Sequence, residues 1–298
     1  FSAAVLPDLT HDSRADAIAL GAPSYSAHSV ASPDEGMVVL QSFSPDLRMP
    51  ETNWLETYLS RTQGLAHGGG FAEISSGWRF GHAIAALNLD LNTSLPTVNG
   101  TLVSTGSDEL PEVLVGAPGA FNGTGALFIV SLGYAQYALG YDLIKASDLT
   151  FGSAPTGFGT AVAVLTGQSS LQTAFEQGST PPLSSPTGSR LLTHSILVTV
   201  TGSSTSPALL LRVRRSSTSR WGATVDASYP VTGFPSALSM LLGESVAYLG
   251  PMPGSTPASL ETLVAFGAPG TDSDVGAIVV SQLSAANGSV SGWAQFSA

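Results

Sequence analysis

The sequence predicts an all-β chain made of four copies of one strand-rich unit, and three observations predict it. The tripeptide Gly-Ala-Pro occurs behind three apolar runs: AIALGAPS at residues 17–24, EVLVGAPG at 112–119 and LVAFGAPG at 263–270. Upstream of these stand FSAAVLPD (1–8), FGHAIAAL (80–87) and LGESVAYL (242–249), and a fourth copy, FGTAVAVL (158–165), stands without a Gly-Ala-Pro. Downstream, a glycine opens a β-rich run each time: Gly36 in GMVVL, Gly125 in GALFIV and Gly276 in GAIVV. Self-similarity of this kind decides the fold class before any single element does.

Taken in order, the units run over residues 1–79, 80–157, 158–241 and 242–298. Their apolar runs are short, rich in Val, Ile, Leu and Phe, and bounded by glycine and proline, which is the punctuation of strands. In the first unit, NWLETYLS (53–60) predicts a short helix with Trp54, Leu55, Tyr58 and Leu59 on one side. In the third, HSILVTVTGS and ALLLRVRR predict two strands of a degenerate copy. Residues 45–79 and 166–190 lengthen their units, and the second stretch, rich in Ser, Thr, Pro and Gly, reads as an exposed loop. Phe296-Ser297-Ala298 repeats Phe1-Ser2-Ala3, so a fifth unit is expected to start there. About four strands per unit, repeated radially, make a β-propeller, with four to five blades visible. Gly-Ala-Pro then marks a strand that ends where sheets converge: glycine admits a close backbone, alanine fits between blades, and proline stops the ladder.

Composition bounds the function. Of 298 residues 43% are hydrophobic and 10% charged, so a large core can form and disorder is disfavoured. A net charge of −11, with Lys145 the one lysine, argues against nucleic acid and anionic membranes as partners. Cysteine is absent, which excludes disulfides, thiolate metal sites and cysteine nucleophiles. Residues 113–141 carry no charge, but GAPG and NGTG interrupt them with turn chemistry, so they read as strands and not as a transmembrane segment. Four of the six asparagines, Asn92, Asn99, Asn122 and Asn287, lie in Asn-X-Ser/Thr sequons. Two readings stand: glycosylation sites on loops of a secreted or cell-surface protein, or turn asparagines that happen to precede serine or threonine.

The paired Phe-Gly and Gly-Ala-Pro signatures at 1–40, 80–130 and 242–282 resemble FG-GAP repeats, which build the seven-bladed propeller at the head of integrin alpha chains. The same repeats occur in glycosylphosphatidylinositol-specific phospholipase D. The resemblance implies a propeller and an extracellular recognition role; it does not imply a reaction. Related propellers have seven blades, so we expect this chain to be part of a larger chain or complex, with further blades or neighbouring subunits covering its ends; closure of the four units by themselves is the alternative.

FG-GAP loops often hold calcium, a hard cation that takes about six to eight oxygens from alternate residues of a tight loop. DLTHDSRAD (8–16) offers Asp8, Thr10, Asp12 and Asp16 at the first, third, fifth and ninth positions, with the Arg14 carbonyl at the seventh. Ser13 replaces the usual glycine of the motif, and an acidic surface turn is the other reading. A weaker second loop would use Asp90, Asn92, Asp108 and Glu112, split by an insertion. Asp272 and Asp274 read as turn formers.

No catalytic constellation emerges. His11, His28, His67, His82 and His194 lack metal spacing, and His82 follows Phe80-Gly81 at a variable position of the repeat. Gly68-Gly69-Gly70 lacks the lysine of a phosphate loop. Arg212, Arg214 and Arg215 form the one basic cluster, either guarding an edge strand or meeting an acidic partner or glycan. The sequence therefore points to a non-catalytic adhesion or assembly module with protein or glycan partners; the alternative is an accessory propeller domain of a secreted phospholipase D-like hydrolase.

Overall fold

The computed structural model describes residues 1–6, 17–26, 33–42, 56–87, 89, 112–133, 137–149, 155–165, 193–215, 222–239, 241–252, 261–269 and 276–297. These residues form four four-stranded antiparallel sheets, each a simple meander. The first sheet joins β1 (Ser2–Leu6), β2 (Ala17–Ala22), β3 (Met37–Ser42) and β4 (Glu56–Leu59). The second joins β5 (Ala83–Leu87), β6 (Glu112–Ala117), β7 (Ala126–Leu132) and β8 (Ala138–Lys145). The third holds β9 (Val162–Leu165), β10 (Thr193–Thr199), β11 (Ala208–Arg215) and β12 (Ala223–Pro230). The fourth holds β13 (Ser245–Pro251), β14 (Glu261–Ala268), β15 (Ala277–Ser284) and β16 (Val290–Ser297).

The sheets stand in series. The first strand of each packs on the first strand of the next, β1 on β5, β5 on β9 and β9 on β13, while among the described residues β13 and β1 show no comparable packing. Three apolar clusters fill the successive gaps. Val38, Leu40 and Leu59 of the first sheet meet Val113, Val115 and Phe128 of the second. Leu114, Leu127 and Ile129 on its other side meet Ile196, Val198 and Leu211 of the third. Leu197 and Leu210 of the third meet Val264, Phe266 and Val279 of the fourth. Each sheet thus has a leading face toward its predecessor and a trailing face toward its successor. Because both faces of an inner sheet are buried at its centre, β6 reads as an almost continuous apolar run, EVLVGA, and not as polar-apolar alternation.

The three Gly-Ala-Pro segments occupy one place: each ends the second strand of its sheet, and Gly21, Gly116 and Gly267 pair with Ser2, Ala83 and Ser245. A Cβ built on Gly21 would lie 2.0 Å from the carbonyl oxygen of Gly81, and one on Gly116 would lie 2.0 Å from that of Gly159. The glycine is needed because the Phe-Gly carbonyl of the next sheet rests against it. Gly36 and Gly125, both at positive φ, form parallel bridges to Phe80 and Phe158, whose amides donate to the carbonyls of Glu35 and Thr124 at 3.1 Å each. Phe80 and Phe158 are fully buried. Phe-Gly and Gly-Ala-Pro are thus the two halves of one joint between neighbouring sheets.

In the third sheet Thr199 takes the glycine's place, and its Oγ1 accepts the Ala161 amide at 2.8 Å. The next glycine, Gly243, presses instead on the Val200 carbonyl, 2.4 Å from where its Cβ would sit. The two strands expected for this unit are β10 and β11.

Four expectations need correction. Residues 56–59 form the strand β4 and not a helix: Thr57 and Leu59 are buried while Glu56 and Tyr58 are exposed, a period of two enforced by pairing with β3; residues 53–55 lie outside the described residues. Phe296 and Ser297 start no new unit, because they pair with Ile278 and Ala277 as the end of β16. Phe1 is not the repeat's phenylalanine. Register places Ser2 where Ala83 stands, so Phe1 falls at the place of His82 and is fully exposed. Finally, β11 is an interior strand and not an edge.

Candidate functional site at the strand entries

The residue that follows each Phe-Gly or Leu-Gly pair is free to vary, because the pair makes the joint and the next side chain points away from it. Packing the sheets side by side brings three of these residues together: His82, Thr160 and Glu244, from the second, third and fourth sheets. They line a cavity of about 280 Å³ with Arg79 and the hydroxyl-bearing Thr156 and Thr201. Arg79 holds a positive φ of 57° just ahead of Phe80, with its amide donating to the Asp34 carbonyl at 2.9 Å. The turn that carries the guanidinium is therefore tied to the first sheet.

The imidazole Nδ1 of His82 lies 3.0 Å from the Thr160 carbonyl, which accepts when that nitrogen carries the proton. Burial pushes the imidazole below its usual range, and the Arg79 cation adds to this; the Thr160 carbonyl and Glu244 act in the opposite sense. The ring is thus neutral at neutral pH. The Thr160 hydroxyl donates to the Gly157 carbonyl at 2.7 Å and that of Thr156 to the Thr201 carbonyl at 2.7 Å. Neither hydroxyl is hydrogen-bonded to the imidazole, so no paired nucleophile and base is present among the described residues of the cavity. One cation, one carboxylate, one neutral imidazole and several hydroxyls make a polar cup suited to hydrogen-bonding a hydroxylated or amide-bearing group.

The other predicted site residues stand apart from this cup. Asp8, Thr10, Asp12, Arg14 and Asp16 lie outside the described residues, as do Asp90, Asn92, Asp108 and Asn99. Among the described residues no group of three or more His, Asp or Glu side chains gathers to hold a metal ion. Glu112 is buried, and its Oε2 accepts the Leu89 amide at 2.7 Å while Oε1 accepts the Ser131 hydroxyl at 3.4 Å. Asn122, at φ 60°, and Asn287 are both exposed. The Asn287 Oδ1 accepts the Ser289 amide at 3.1 Å and its hydroxyl at 2.8 Å, a turn closed within the sequon itself. Arg212 is turned inward: its Nη2 donates to the Ala285 carbonyl at 3.2 Å, on the fourth sheet, and it lies 6.0 Å from the Tyr229 ring centre. Arg214 pairs with Asp226 at 2.6 Å. These two arginines are each engaged within the protein, Arg214 in a partly exposed ion pair.

Sequence reasoning named His82 but missed Arg79 and Glu244. The available signal was the shared repeat position of His82, Thr160 and Glu244. Comparison with protein-family models finds none that matches the chain, and comparison with characterised proteins finds no significant match.

Proposed function

We propose that this chain is a non-catalytic propeller scaffold of FG-GAP type that serves adhesion or assembly outside the cell. The observation that carries the reading is the joint itself: Gly21 against Gly81 and Gly116 against Gly159 repeat one interlock at one register, at the very positions where the sequence repeats Gly-Ala-Pro and Phe-Gly. The exposure of Asn122 and Asn287 fits glycosylated loops. The cup between Arg79, His82 and Glu244 receives a polar group of a protein or glycan partner, and the 8–16 loop binds calcium through Asp8, Asp12 and Asp16.

The scaffold reading is tested by arraying the protein against extracellular proteins and glycans. At least one ligand is expected whose capture falls about tenfold in an Arg79→Ala/Glu244→Ala double variant. Capture by nothing, or turnover of a phospholipid by the chain alone, would sink it. For calcium, millimolar ion is expected to raise the melting temperature through linkage, and Asp12→Ala to remove most of that gain. A melting curve indifferent to calcium would leave the loop an ordinary acidic turn.

A further inference from the structure

The Gly-Ala-Pro joint is filled twice, at Gly21 and Gly116, and stands open once, at Gly267. On the fourth sheet, Gly267 and Gly276 take the places held by Gly116 and Gly125 on the second. A Cβ on Gly125 would lie 2.1 Å from the Phe158 carbonyl, but one on Gly276 would meet nothing nearer than its own Pro269 at 3.5 Å. Among the described residues Gly267 likewise faces no carbonyl of a following sheet; its nearest neighbour is the hydroxyl of Ser245, within its own sheet. In place of a Phe-Gly pair there is a cavity of about 420 Å³, bounded by Ser245, Gly267, Gly276, Ile278 and Phe296.

Ser245 adds a second observation. It stands where Ser2 stands in the first sheet, opposite the Gly-Ala-Pro glycine. The Ser2 hydroxyl donates to the Gly81 carbonyl of the next sheet at 2.8 Å. Ser245 is exposed and makes no such bond. The apolar side chains of the trailing face that line this cavity are uncovered. Ile278 is 55% and Phe296 60% exposed, where their counterparts Leu127 and Ile144 on the second sheet are 0% and 9%. Exposed apolar side chains gathered beside an unfilled joint mark an interaction site.

We propose that the trailing face of the fourth sheet is a docking surface for a further four-stranded sheet of this same repeat, entered by a Phe-Gly pair. The phenylalanine fills the cavity beside Gly276. The glycine carbonyl rests on Gly267 and accepts the Ser245 hydroxyl, and an apolar leading face covers Ile278, Val280 and Phe296. The inference rests on the joint and stands or falls apart from the adhesion reading.

The test supplies such a sheet. A copy of residues 60–149 is appended after residue 298, and Ile278→Cys is introduced into the otherwise cysteine-free chain. Maleimide labelling at position 278 is expected to slow at least about tenfold relative to the unextended chain. Gly267→Val in the extended chain should restore fast labelling, because its side chain occupies the place of the incoming carbonyl. Far-UV circular dichroism reports whether the added unit is folded. A folded unit with labelling unchanged would overturn the proposal. So would an added unit that stays unfolded beside an intact chain, because the face then organises no sheet. Head-to-tail association of the unextended chain that protects position 278 would also overturn it, by showing the occupant to be a second copy.

Discussion

The trailing faces of the second and fourth sheets are the same surface in two circumstances. Register matches Gly116 with Gly267, Leu114 with Ala265, Leu127 with Ile278, Ile129 with Val280 and Ile144 with Phe296. At each of these positions both residues are apolar or glycine, yet on the second sheet Leu114 and Leu127 are fully buried, whereas Ile278 and Phe296 lie open. The residue type is thus set by the position in the repeat, and burial by whether a neighbour is present. An exposed isoleucine on this fold is therefore an address for a neighbour and not an irregularity of the surface.

The comparison can be broken most sharply at its glycines. We expect Gly116→Val to cost about 3 kcal/mol or more, because the Gly159 carbonyl, 2.0 Å from the new Cβ, is backbone and cannot turn aside. Gly267→Val should cost far less, since only the Ser245 hydroxyl must rotate. Equal losses in chemical denaturation would contradict the difference between the two faces. Next in size is Leu127→Ala, expected to cost about 2–5 kcal/mol; Ile278→Ala should stay within about 0.5–1 kcal/mol. Smaller again is Glu112→Ala, which leaves the buried Leu89 amide without its acceptor, an effect of about 1–3 kcal/mol read in the same denaturation curves.

The smallest expected effect is one of pH. His82 titrates lower in the folded protein than in the unfolded chain. As pH falls through the unfolded value, about 6.5, the unfolded state takes up the proton first, so stability declines on acidification and is fully present above that pH. His82→Gln should flatten this part of the stability profile. A variant whose profile follows the parent between pH 7 and 5 would remove His82 from the account.

Much of the fold was legible, and the misreadings have physical causes. Gly-Ala-Pro marked the same strand end three times, and at Gly21 and Gly116 a backbone joint tolerates no side chain there. The place of Phe1 was misread by two residues. A shift of two keeps every side chain on its own face, so the small-apolar alternation of SAAVL does not fix the register by itself. Glu56–Leu59 was read as part of a short helix over 53–60 because eight residues of mixed polarity carry too little periodicity to decide, and only pairing with β3 resolves 56–59. The cup was half legible. His82 declared itself by its place after Phe-Gly, but its neighbour Glu244 lies 162 residues further along (244 − 82), brought there by two intervening sheet packings.

The three clusters have a mechanical meaning. Each ties one sheet to the next, and among the described residues none spans more than two sheets. Such a row behaves as a one-dimensional set of couplings, in which each member is held by its nearest neighbours alone. Its outer members have one coupling and its inner members two. Tension applied between the first and fourth sheets should therefore peel the row from its ends in discrete steps. The second and third sheets, joined by Leu114, Leu127, Ile196 and Leu211, should part last. Single-molecule extension traces with one all-or-none rupture would instead mean that the four sheets share a single cooperative transition.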